Sequence, residues 1–182
     1  VKDLEALLFE FPDDIEAKAL LVNQLWVNRD YDLEISSQQA NDALLAQVFA
    51  AQPMHPAHHY RIHLWDEKDT AQRAIDSATK SGPAWPSCAH MWHMGGHIFA
   101  ELGRHADAAW QQEASARVDH AHMMRDRVLP DQIHNFAHNN EWLVRSWRHC
   151  GRVSEALDLA QNMIELPRHP DHNSLAKRGC SA

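Results

Sequence analysis

The chain is poor in what most alternative architectures need. Only six of its 182 residues are glycine. Few segments alternate apolar and polar residues with period two, which leaves little from which to build strands and tight hairpins. The three cysteines, Cys88, Cys150 and Cys180, are odd in number, far apart and without a CxxC pairing. They read as free thiols, and their scatter argues against a disulfide framework, a cysteine-rich zinc site or an iron–sulfur cluster. No run of 18 apolar residues occurs, so no segment is long enough to cross a membrane as a helix. No basic stripe offsets the formal charge of −8, which argues against a nucleic-acid partner. A glycine-rich phosphate loop, a GxSxG elbow and a convincing cysteine–histidine pair are also missing, and metal chemistry is the catalytic route that remains.

What the chain does have is helical spacing and histidine. Residues 13–28, DDIEAKALLVNQLWVN, place Ile15, Ala19, Val22 and Trp26 on one helical face, with Asp13 as the expected N-cap. Residues 36–51 start on serine and carry Ala40, Ala43, Leu44, Gln47 and Val48 at similar steps, after which Pro53 and Pro56 bound a loop. Three helix pairs are expected next. Residues 56–66 lead into 68–80, which stops at Ser81-Gly82-Pro83. Residues 86–102 turn at Gly103 into 105–119, and 131–149 turn at Gly151 into 153–165. Both glycines fall where a helix C′ residue needs positive φ.

The turns expose a repeat. ELGRHADAAWQQEA and HCGRVSEALDLAQN align through Gly103 and Gly151, each leading into an alanine-rich helix. Helix–turn–helix units of roughly 34 residues with small residues on the second helix are the signature of tetratricopeptide-type repeats. The expected fold is therefore all-α: stacked helix–turn–helix repeats, an α-solenoid whose first helices line a concave groove. Residues 1–167 read as one helical-repeat domain and 168–182 as a polar, poorly ordered tail. The opening VKDLEALLFEFPDD resembles the middle of an amphipathic helix, so the chain is expected to be a piece of something longer, with a fused or partner domain.

Histidine is the anomaly. Protonating all 15 would carry the net charge from −8 to +7. His59 and His63 are four residues apart, as are His93 and His97, and as are His134 and His138. Side chains at i and i+4 share a helix face, close enough for two imidazoles to hold one metal. His59 to His93 and His63 to His97 both span 34 residues. Equivalent helices would thus project these four rings into one groove. Alignment through the glycine turns sets His90 opposite His138 and His93 opposite Glu141, which favours His138 and Glu141 over His134. The expected metal ligands are His59, His63, His90, His93, His97 and His138. Asp66 and Glu141 are the expected general base or carboxylate ligand, and Asp66 and Asp119 could instead orient ligating rings. Imidazoles with one or two carboxylates suit a divalent metal, zinc above copper or iron. His105, His149, His169 and His172 are expected to be structural or exposed, and Trp85, Trp92, Trp110, Trp142 and Trp147 to pack between helices, with Trp92 able to wall the groove.

HPAHHYRIHLWD, AHMWHMGGHIFAELGR and HNNEWLVRSWRHCGR together resemble a poorly characterised group of bacterial tetratricopeptide-repeat proteins. Its members carry HP before HYxxHxxD, then HxxHMxxHIFxxLG, then HxxDWL ahead of a GR turn. His55, His59, His63 and Asp66 match the first motif, and His90, His93 and His97 the second. His138 matches the third, with Glu141 where the group often has aspartate. His58, His134 and DHAHMM lie outside the motifs. The resemblance covers about residues 53–165 and implies a helical-repeat fold without a settled activity. Two uses are then expected of the groove. It is a metal-dependent hydrolase of esters, amides or phosphoesters acting on a small molecule or peptide. Otherwise it is a non-catalytic scaffold for a protein or peptide, or a metal-storage or pH-sensing module.

Overall fold

Helix boundaries follow local chemistry closely. The structure, a computed structural model, describes residues 1–31, 37–133 and 135–170. His134, His172 and Cys180 lie outside the described residues, as does most of the expected tail. Nine α-helices occur among the described residues and no strand: α1 (Lys2–Glu10), α2 (Ile15–Val27), α3 (Gln38–Ala51), α4 (His58–Trp65), α5 (Ile75–Ala84), α6 (Ala89–Glu101), α7 (His105–Asp126), α8 (Phe136–His149) and α9 (Val153–Glu165). Asp14, rather than Asp13, caps α2 by accepting from the Ala17 N–H at 2.9 Å. Ser37 caps α3 through Ala40 at 3.2 Å. The α6–α7 and α8–α9 turns hinge on Gly103 (φ 69°) and Gly151 (φ 76°). There the Arg104 N–H reaches back to Phe99 O and the Arg152 N–H to Trp147 O, a Schellman closure.

Three helices depart most from the sequence reading: α5, α7, and α8, which starts at Phe136 after a 3-10 turn over Pro130–Gln132 and not at 131. Helix α5 starts at Ile75 after a 3-10 turn over Ala71–Ala74 and runs through Ser81, Gly82 and Pro83 to Ala84. Proline in a last turn forfeits a single backbone bond. Gly82 is needed there as a flat seat for Trp92, because a Cβ would lie 2.3 Å from the indole. Helix α7 continues seven residues beyond 119 and ends at Arg127 in the left-handed region.

The helices pair sequentially, α4 with α5, α6 with α7, and α8 with α9. The first helices also touch one another, α2 with α4, α4 with α6, and α6 with α8. The core between the layers is built from Val22, Leu45, Val48, Ile62, Leu64, Trp65, Met94, Ile98 and Phe99, with Ala71 and Ala74 supplied by the 3-10 turn before α5, and Ala78 and Ala108 by α5 and α7. Alanine at those positions brings neighbouring axes close. Gly95 continues that logic, since a Cβ there would sit 2.5 Å from Ala78 O. The consequence is a continuous face made by α2, α4, α6 and α8, and the histidines lie on it.

Candidate metal centre

Six imidazoles gather on that face in two groups of three. His59 and His63 of α4 meet His90 of α6, and His93 and His97 of α6 meet His138 of α8; within each group one ring nitrogen per residue lies within 4.8 Å of the others. The shortest contacts are His59–His63 (Nε2 to Nε2, 2.9 Å), His59–His90 (3.2 Å) and His93–His97 (2.8 Å). Each triad thus has one design: an i, i+4 pair from one first helix and a single histidine from the next. The four-ring cluster expected from the 34-residue spacing, His59 and His63 with His93 and His97, is split between the two. Helix α6 shares its turn between them, and the His90 and His93 rings stack with centroids 5.8 Å apart.

Tryptophans close both ends of the row. Trp26 of α2 stacks on His63 with centroids 4.1 Å apart, and Trp142 of α8 lies 4.3 Å from His97. The sequence reading placed Trp142 in inter-helix packing and missed Trp26. It offered Trp92 as the groove wall, but Trp92 donates to Pro86 O at 3.0 Å and packs edge-on against Trp110.

Burial keeps three of these rings, His59, His93 and His97, neutral. It lowers His93 to about 2, with the neighbouring His97 adding to the effect against a raising hydrogen bond from Gln112. It lowers His97 to about 4, with His138 and His90 adding, and His59 to about 4, with His90 adding. Neutral imidazole is the ligating form. These shifts fix how the metal-free protein responds to acid. As pH falls below 6.5 the unfolded chain takes up protons that the folded rings refuse, so stability falls with pH. The carboxyl of Asp66, raised to about 6 by burial and then by Glu101 and Glu67, works in the opposite sense, as one group against three. Folding stability is therefore expected to fall steadily between pH 7 and pH 5, by up to about 2 kcal/mol per ring at the lower pH, and the melting temperature with it. A flat profile by scanning calorimetry would show that the rings are not buried as described.

The carboxylates stand beside the triads, and neither belongs to one. Asp66 Oδ2 is 3.8 Å from His97 Nδ1, on the side of the ring away from the triad, where a carboxylate orients a ligating imidazole. Glu141 forms an ion pair with Arg145. Asp119 is buried and accepts from Asn139 Nδ2 at 2.9 Å.

The remaining histidines are structural or peripheral. His55 bridges Glu16 (3.1 Å) and the Ala57 N–H (3.0 Å). His105 and His149 stack on each other with centroids 4.0 Å apart, and His122 pairs with Asp126. His58, next in sequence to His59, points into the core. Its Nε2–H donates to Pro53 O at 2.9 Å, its Nδ1 accepts from Ser77 Oγ at 2.9 Å, and Phe49 stacks on it. His58→Ala should cost about 3 kcal/mol, from a cavity and two orphaned partners, and leave zinc binding per folded molecule unchanged. Chemical denaturation beside a zinc titration checks both halves.

The fold is that of a tetratricopeptide-like helical-repeat protein. It is similar to the crystal structure of the MamA protein, with a TM-score of 0.64, 15% sequence identity, and coverage of 93% of this chain and 86% of that one. No protein-family model matches the chain, and no curated protein matches it.

Proposed function

We propose that this chain is a metal-binding helical-repeat protein of the histidine-motif group it resembles. In this reading it holds two divalent ions, zinc first among them, on the first-helix face, and uses them to hydrolyse an ester, amide or phosphoester. The observation that carries the reading is the pair of three-imidazole groups, both formed by the same arrangement of helices. Three imidazoles would serve as the protein ligands of such an ion, the number that catalytic zinc sites use. A bound metal would supply Lewis acidity, lowering the pKa of water toward 7 and polarising a carbonyl or phosphoryl oxygen.

The protein's own groups do the rest. Trp26 and Trp142 cover the outer rings of the row, His63 and His97. Asp66 lies 3.8 Å from His97 Nδ1, placed to favour a proton on that nitrogen and so free Nε2 for an ion. With its pKa raised to about 6, it is also suited to exchange a proton near neutrality. Glu141, one turn from His138 and tied to Arg145, can be released toward substrate.

Hydrolysis of generic nitrophenyl esters and phosphoesters by the untagged protein, with and without chelator, tests this use. Activity that is lost on chelation, restored by zinc and reduced in Asp66→Asn supports it. Zinc binding without any chelator-sensitive turnover would leave a metal-loaded scaffold or store. A second reading, a groove for a peptide partner, is favoured by the repeat fold itself, and binding that persists in metal-free protein would select it.

A further inference from the structure

We infer that the two triads are inequivalent: Gln112 locks His93 in the tautomer that can ligate, Asn135 holds His90 in the one that cannot, and the second triad therefore loads first. The inference rests on the metal-binding reading and concerns how that site is tuned.

Gln112 is fully buried on α7, and both ends of its amide are committed. Its Nε2 donates to the backbone carbonyl of His93 at 3.2 Å, which fixes the amide's orientation and presents Oε1 to the His93 ring. That oxygen lies 2.7 Å from His93 Nδ1. An amide oxygen only accepts, so the ring proton must sit on Nδ1. The Nε2 lone pair is then aimed at His97 and His138 before any ion arrives. The neighbouring glycine makes this contact possible. A Cβ on Gly96 would lie 2.2 Å from Gln112 Nε2, so the second glycine of AHMWHMGGHIF is the space into which Gln112 reaches. His97 Nε2, 2.8 Å from the bare His93 Nε2, then carries its own ring proton, and Asp66, 3.8 Å from His97 Nδ1, is placed to favour transfer of that proton to Nδ1 when an ion arrives.

The first triad is arranged in reverse. The side-chain Nδ2 of Asn135 is 3.0 Å from His90 Nδ1, and an amide nitrogen only donates. His90 Nδ1 is then an acceptor, and the ring proton sits on Nε2, facing His59 Nε2 at 3.2 Å. Ligation by His90 requires that proton to pass to Nδ1 and the Asn135 amide to turn over. His59, central to this triad, has no partner on Nδ1 among the described residues. Gln112 and Asn135 are thus positioning residues acting with opposite sign. Loss of such outer partners changes metal affinity by roughly 10- to 100-fold.

The experiment uses the full chain, uniformly labelled with nitrogen-15 and stripped of metal. Two-bond proton–nitrogen correlation spectra report which nitrogen of each ring is protonated. His93 is expected as the Nδ1–H tautomer and His90 as the Nε2–H tautomer. Zinc is then titrated in, with the first equivalent expected to shift His93, His97 and His138 and the second His59, His63 and His90. Gln112→Met should lower affinity at the second triad 10- to 100-fold and abolish the order of loading, and Gln112→Glu, which keeps an acceptor oxygen, should restore it. Asn135→Asp, which offers His90 an acceptor, should tighten the first triad without touching the second. His93 protonated on Nε2, or equal affinities unmoved by Gln112→Met and Asn135→Asp, would overturn the inference while leaving the metal reading intact. Absence of zinc binding to the wild-type chain would end the metal reading, and the tautomer spectra would still decide the roles of Gln112 and Asn135.

Discussion

Replacing His59 and His93 together with alanine is expected to take zinc binding from two ions per chain to none. Each ring is the member of its triad with the shortest contact to a second histidine, His59 to His63 and His93 to His97. Removing either leaves two imidazoles, too few for a site that already needs an exogenous fourth ligand. The effect on affinity should exceed the 10- to 100-fold of an outer partner. Zinc should stabilise the wild type against heat by about 2.7 kcal/mol per site at a hundredfold excess over Kd, and the double variant not at all. Because alanine relieves two buried imidazoles with strongly lowered pKa values, the metal-free double variant should also lose much of the acid sensitivity of the wild type. Equilibrium dialysis against zinc, with calorimetry in parallel, reads both effects. Retention of two tight ions would mean that other residues hold them.

Trp65→Ala is expected to cost about 3–5 kcal/mol, at the upper end for a core truncation. Trp65 is almost wholly buried, and its Nε1 donates to Asp42 Oδ1 at 3.1 Å. The same carboxylate is gripped by Arg61 at 2.7 and 3.2 Å, and the Arg73 guanidinium lies over the indole. The cluster ties α3 and the turn before α5 to α4, the helix that presents His59 and His63. The urea midpoint should fall with the slope unchanged. Zinc affinity at the first triad should weaken while the second, carried by α6 and α8, holds. A variant that loses both triads together would show that the repeats unfold as one unit.

The histidine face was legible because two simple periods reinforce one another. The i, i+4 steps of His59–His63 and His93–His97 put each pair on one side of its helix, and the 34-residue separation put the pairs in equivalent repeats. The division into triads was not legible. It depends on the offset between α4 and α6, which follows from how each packs on its neighbours, as α6 does on α5 where Gly95 meets Ala78 O, and this carries no period in the sequence. His138 was found through the GR turns. Trp142, four residues on from it, shares its face by the same rule that linked the histidines, so its place beside His97 could have been read. Trp26 lies on α2, ahead of the aligned repeats, and gave no such signal. Gln112 and Asn135 were missed for another reason: they reach the rings from a second helix and from the segment before α8, so their roles emerge only once the backbone has placed them. The mistaken end of α5 has a local cause. Ser81-Gly82-Pro83 reads as a breaker, but the helix is held through it by Ser81 Oγ, which donates to Met91 O at 2.8 Å, and by Trp92 lying on Gly82.

An anomalous difference map at the zinc edge, from crystals of the untagged chain grown with zinc, tests the account most directly. Two peaks are predicted on the first-helix face. One should lie about 2.0–2.1 Å from a nitrogen of each of His93, His97 and His138, and the other at the same distance from His59, His63 and His90. Peaks confined to surface histidines such as His122 or to the His105–His149 stack, with both triads empty, would contradict it.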